Sequence, residues 1–264
     1  MNRNIRFSLT IFTISLLIGI VGACTDGGTS KSSEISSIPS VSIGATGKGG
    51  SMARFALTDT ALFVLTNNSL QSYNIKNQAS PVLQNTVSLN NDMETLFPYD
   101  TLLFIGSQSG MYVYTVNPEY ELQYVSDYWH VTSCDPVVFD GTYAYVTLNS
   151  AHEMCGRYIN QLDVINMEDI TAPYQINSYE MESPKGLGVD GNLLFVCDNN
   201  SLKIYNKSDP YNIQIKNTFT IPNIYDVIPY RGNLIVTSQS GIVQYSYDTT
   251  TLNIRYKSII PVQH

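Results

Sequence analysis

Two carboxylates and an amine sit at matched places in this sequence, with a third carboxylate one step away. Glu94, Asp135 and Lys185 each lie eleven residues before the last member of an apolar triplet, ending at Ile105, Val146 and Val196. Asp226 lies beside Tyr225, which holds the same place before Val236, and Ala53 holds it before Val64. Carboxylates near an amine can pass protons to and from a substrate, or hold a cation through hard oxygen ligands. The same residues would also serve as a solvated rim, with Lys185 offsetting the charge of Glu94 and Asp135. Glu94, Asp135, Lys185 and Asp226 are therefore a candidate ligand-binding set, with no catalytic role assigned to any of them.

Other familiar chemistry is not spelled out. His130, His152 and His264 lack the spacing of metal ligands, so no metal or cofactor is expected. Gly106-Ser107-Gln108-Ser109-Gly110 has Gln where a nucleophile elbow has Ser. Gly47-Lys48 is followed by Gly49 rather than Ser or Thr, so it is no phosphate loop.

The elements that would position the set are repeats. The triplets are Leu62-Phe63-Val64, Leu103-Phe104-Ile105, Ala144-Tyr145-Val146, Leu194-Phe195-Val196 and Leu234-Ile235-Val236, spaced by 41, 41, 50 and 40 residues. Nine residues before each triplet's last member comes another apolar residue: Phe55, Leu96, Val137, Leu187 and Val227. Each unit reads as four short strands separated by Gly, Asn, Ser and Pro turns. The triplet strand is apolar on both faces and needs a cover on each, which neighbouring blades of a propeller supply. The expectation is an all-β, five-bladed β-propeller of four-stranded blades closed into a ring, residues 51–264. Equivalent positions would then bring the charged set to one mouth of the central channel.

Of the four cysteines, Cys134 precedes the inner strand of repeat three and Cys155 lies in that repeat's additional residues. Both loops fall at one end of a blade, so a Cys134–Cys155 disulfide is expected, with the segment from Ser150 to Gln161 overhanging the channel mouth. Cys197 reads as a small buried residue.

Arg3 and Arg6 precede an apolar run from Phe7 to Val21, then small residues and Cys24. This is the layout of an export signal, 1–23, too short and too polar to span a bilayer. Val21-Gly22-Ala23-Cys24 looks like a lipobox, so Cys24 is the expected lipidation site, followed by a Ser/Gly-rich tether over 24–50. Removing the signal leaves 12 basic residues against 22 acidic ones, which disfavours a nucleic-acid partner.

The repeats resemble those of the LVIVD-repeat lipoproteins of Bacteroidota. Leu162-Asp163-Val164-Ile165-Asn166, Leu202-Lys203-Ile204-Tyr205-Asn206 and Met111-Tyr112-Val113-Tyr114-Thr115 carry the name-giving strand in degenerate form. Where relatives of that group often read Pro-His-Gly-Leu-Gly, this chain has Pro184-Lys185-Gly186-Leu187-Gly188. The resemblance implies a propeller of the cell envelope and no particular chemistry. The expectation is a monomeric, non-enzymatic binding or scaffold module for a protein or glycan ligand. It would be held by its N-terminal lipid outside the cytoplasm, at the outer membrane. The rivals are a carbohydrate hydrolase or lyase using the rim carboxylates, and a purely structural envelope component.

Overall fold

The protein was analysed as a computed structural model, which describes residues 49–90, 92–129, 136–150 and 159–262. Asp135, Cys134, Cys155 and Cys24 fall outside these residues, as does most of the Ser150–Gln161 segment.

The described chain forms twenty strands in five sheets, and the architecture is a β-propeller. Blade 1 holds β1 Phe55–Leu57, β2 Ala61–Leu65, β3 Ser69–Asn74 and β4 Val82–Ser88. Blade 2 holds β5 Met93–Tyr99, β6 Leu102–Ser107, β7 Gly110–Val116 and β8 Leu122–Trp129. Blade 3 holds β9 Val137–Phe139, β10 Tyr143–Asn149, β11 Asn160–Asn166 and β12 Tyr174–Glu180. Blade 4 holds β13 Pro184–Asp190, β14 Leu193–Asp198, β15 Ser201–Asn206 and β16 Gln214–Thr220. Blade 5 holds β17 Ile224–Tyr230, β18 Asn233–Ser238, β19 Gly241–Tyr247 and β20 Ile254–Pro261. Within each blade the strands pair antiparallel in chain order.

The repeat register survives in the pairing. Phe55 pairs with Val64, Leu96 with Ile105, Val137 with Val146, Leu187 with Val196, and Val227 with Val236. Short hairpins connect the strands where the backbone can turn tightly. Arg231 and Gly232 both take positive φ between β17 and β18, as a two-residue hairpin with a primed turn requires. Between the third and fourth strands every blade carries a register shift, preceding Tyr73, Tyr114, Ile165, Tyr205 and Tyr245. Such a bulge strengthens local twist, which turns the outer edge of a blade away from its inner strand.

The triplets act as two-sided anchors because successive side chains of a strand point to opposite faces. In blade 2, Leu103 and Ile105 pack with blade 1, while Phe104 packs with blade 3. Ala144 and Val146 face blade 2 and Tyr145 faces blade 4; Leu194 and Val196 face blade 3 and Phe195 faces blade 5. All nine residues are buried.

The fifth seam differs from the other four in what fills it. Were blade 5 packed on blade 1, Ile235 would meet Leu62 and Val64, yet all three are only half-buried. Phe55 is 60 % exposed, whereas its equivalents Leu96, Val137, Leu187 and Val227 are each 0 % exposed. Among the described residues no buried apolar cluster joins blade 5 to blade 1. What bridges that seam is the short run Gly50–Met52, which reaches blades 4 and 5 before the chain enters β1.

Candidate functional site

The innermost strands β5, β9, β13 and β17 run from one mouth of the central channel to the other. Two members of the charged set lie at the first mouth, where these strands begin. Lys185, near the start of β13, holds its Nζ 4.8 Å above the ring of Tyr225. Glu94, near the start of β5, accepts a hydrogen bond from Gln108 Nε2 at 3.0 Å.

Asp226 is placed differently from the rim position expected of it. The register shift between Ile224 and Asp226 leaves Tyr225 exposed and turns Asp226 inward, where it is buried. Its Oδ1 accepts from Ser51 Oγ at 3.0 Å and from the Val227 amide at 2.9 Å, and its Oδ2 accepts from the Met52 amide at 3.3 Å. Ser51 Oγ in turn accepts from the Leu187 amide at 2.8 Å. The carboxylate lies between two glycines: a Cβ on Gly50 or Gly186 would come within 2.1 Å of one of its oxygens. Burial is the chief influence on its acidity and outweighs these hydrogen bonds, pushing the carboxyl up to about 6. Asp226 therefore clasps the N-terminal run of its own chain. Cys197, on the adjacent β14, is fully buried, and burial first, then Asp226, pushes its thiol well up.

The opposite mouth, where the innermost strands end, holds a cavity of about 580 Å³. Its floor is apolar and includes Phe97, Val138, Phe139, Leu187, Ile228 and Pro229, while Asp100, Asp140 and Asp190 stand among its polar lining. Tyr99 meets Phe139 edge to face with ring centroids 4.9 Å apart, stiffening one wall.

Two of the carboxylates are held by residues behind the wall. Asp140 accepts from the Thr142 and Tyr143 amides at 3.0 and 2.8 Å, from Tyr145 Oη at 3.2 Å, and from Lys207 Nζ at 2.5 Å. Burial alone would raise its carboxyl, but Lys207 and the two amides prevail and hold it below the usual value. Asp190 accepts from Tyr247 Oη. Burial, followed by that carboxylate, pushes the Tyr247 phenol up, so the tyrosine stays a donor. Among the described residues, none that lines the cavity is basic. An apolar floor under oriented acceptors is the common form of a small-ligand site.

The sequence carried a signal for this mouth that the reading of the charged set passed over. Thr58, Tyr99, Asp140, Asp190 and Tyr230 all lie six residues before the last triplet member, the matched position at the other end of the innermost strands. Among the described residues no group of three His, Cys, Asp or Glu side chains is placed to hold a metal ion.

No family model matches the chain, and no curated protein matches it either. Solved structures do. A protein of unknown function from Desulfotomaculum acetoxidans is similar at 13 % identity and a TM-score of 0.65, over 78 % of this chain and 68 % of that one. The periplasmic gluconolactonase of Pseudomonas aeruginosa is similar at 16 % identity and a TM-score of 0.58, over 77 % and 68 %. A protein from Lactobacillus plantarum is similar at 16 % identity and 0.58, over 76 % and 69 %. The likeness is one of fold.

Proposed function

We propose that this chain is a cell-envelope lipoprotein, anchored through Cys24, whose propeller binds a small ligand in its channel without transforming it. The observation that carries the reading is the cavity at the end of the innermost strands. Its acceptors are oriented in advance by Lys207 and Tyr247, so little ordering is left for a ligand to impose. The apolar floor suits an aliphatic or ring body, and the carboxylates suit hydroxyl or amine donors such as a glycan end or a basic peptide side chain supplies. An acid-base hydrolase is served less well. Asp140, engaged by four donors and held below the usual carboxylate range, is a poor general acid at neutral pH.

The anchor belongs to the same proposal. Cys24→Ser should move the protein from the membrane fraction to the soluble one, and retention of a signal-cleaved variant would count against it. For the cavity, a thermal-shift screen of glycan fragments and basic dipeptides is the direct test, run on the wild type and on Tyr99→Ala with Asp190→Ala. A ligand at a hundred times its Kd adds about 2.7 kcal/mol. For a domain of this size that raises Tm by roughly 5–10 °C. A hit that the double variant abolishes supports the reading. Turnover of that hit, followed by mass spectrometry, would refute a non-enzymatic role.

A further inference from the structure

The seam between blades 5 and 1 presents two sheet faces that, in every other blade, are covered by a neighbour. On blade 1 the open face carries one row across all four strands, Leu57, Leu62, Tyr73 and Leu83, each paired to the next. Leu57 is 48 % exposed, whereas its match Phe139 in blade 3 is buried. On blade 5 it carries the paired row Thr237, Ile242 and Ile260, the last two 45 % and 69 % exposed. Blade 4 shows what these positions look like when covered. Its matched residues Phe195, Cys197, Leu202 and Ile204 are apolar and fully buried, where blade 5 has Ile235, Thr237, Ile242 and Gln244. The blade 5 face is thus mixed, apolar side chains interleaved with hydrogen-bonding ones. Contiguous exposed apolar surface of this kind marks a place where something docks.

We infer that the occupant is the chain's own segment Pro39–Lys48, lying across the seam as an extended strap. The described chain begins at Gly49, which lies at the inner end of the seam and also lines the channel cavity. A Cβ on Gly49 would sit 3.9 Å from the Phe55 carbonyl oxygen of blade 1, and one on Gly50 would sit 3.4 Å from Ile228 Cδ1 of blade 5. The Asp226 clasp then fixes Ser51 and Met52, so the preceding residues start from the inner edge of the seam, beside the channel. The ten residues Pro39–Lys48 reach about 33 Å when extended, while three strand spacings, from the innermost to the outermost strand of a blade, come to about 14 Å. Their pattern suits the surface: Val41, Ile43 and Ala45 alternate with Ser42, Gly44 and Thr46. Alternation offers apolar side chains on one side and small polar ones on the other, which is what a mixed face opposite an apolar one accepts. The segment read from composition as the end of a tether is, on this inference, part of the folded domain, independently of what the cavity binds.

The test places the photoreactive p-benzoylphenylalanine at position 43 of the full-length lipidated protein, in membranes and in detergent. Cross-linked peptides are then identified by mass spectrometry. Intramolecular links to peptides containing Leu57, Leu62, Ile242 or Ile260 are expected to dominate. Links confined to a second copy, to lipid or to another protein would overturn the strap and name a different occupant. A complementary readout uses Val41→Asp with Ile43→Asp, which leaves the propeller sequence untouched. If the strap covers the seam, the fluorescence of an added hydrophobic dye should rise at least threefold over wild type at equal folded fraction. An unchanged signal overturns the inference.

Discussion

Asp226→Asn isolates the clasp at the centre of the molecule. The wild-type carboxyl is buried and titrates near 6, against an ordinary value of 3.8. The folded state therefore holds the proton more tightly than the unfolded chain does. Between about pH 4 and pH 6 the folded protein binds more protons than the unfolded one, so stability falls as pH rises through that window. The stabilisation is fully present below the unfolded value and gone once pH passes the folded one. The gap amounts to about 3 kcal/mol, at roughly 1.36 kcal/mol for each tenfold change in proton affinity. Asparagine cannot titrate, so the variant lacks this slope. It should gain roughly 2.5 kcal/mol relative to wild type on going from pH 4 to pH 7, most of the full gap, whatever its absolute stability. Cys197 faces the carboxylate from β14, but its thiol is pushed well up and stays protonated in this range. The carboxyls of Asp140, Asp169 and Asp248 are held below the usual value and act mainly below the window, and being common to both proteins they cancel in the difference. The assay is urea denaturation of both proteins at half-unit steps from pH 4 to 7. Parallel stability curves would refute the reasoning, because they would mean that the carboxylate is hydrated or that the clasp opens before unfolding.

Three further outcomes follow from neighbouring geometry. Gly186→Ala should destabilise by roughly 1–3 kcal/mol in chemical denaturation, because the new methyl overlaps the Asp226 carboxylate and no flexible tip is there to yield. Lys207→Met should cost roughly 3 kcal/mol, since it strips the ammonium from a largely buried pair and leaves Asp140 beside the Tyr145 phenol. The paired variant Lys207→Met with Asp140→Asn should recover more than half of that loss. Thiol labelling of the native protein should leave Cys197 unmodified until denaturant is added; if the proposed Cys134–Cys155 disulfide forms, two further thiols appear only after reduction.

Much of the fold was written locally. The triplets and the apolar residue nine positions earlier meet as cross-strand pairs in all five blades, because both patterns are set within one hairpin. Cys197 likewise follows an apolar triplet and is buried with it. The thinner packing of the fifth seam was not legible, since it depends on the summed rotation of five units. Only the polar Thr237 and Gln244, at places where blade 4 has Cys197 and Ile204, hint at a face less deeply covered. The candidate site was legible as a set of equivalent positions but not in its details. A register shift at Tyr225 exchanged the expected rim carboxylate for a buried one. The pairing of Asp140 with Lys207 joins residues 67 apart in different blades, and no short-range pattern announces it.

The clasp also bears on the order in which the molecule can assemble. The four packed seams join consecutive repeats, so each can form as soon as two neighbouring blades exist. Ser51 and Asp226, by contrast, are 175 residues apart, and Ser51 and Leu187 are 136 apart. Contacts that close so long a loop are slow to form unless the intervening chain is already structured. On a chain emerging from its N-terminus, Gly50–Met52 must wait with nothing to hold until blades 4 and 5 have arrived. The bond between Ser51 and Asp226 is thus the last to be made and a marker of completion. A chain halted before blade 5 would keep its four preceding sheets but leave Gly50–Met52 without the Asp226 clasp, and those are the residues that lead back to the proposed anchor.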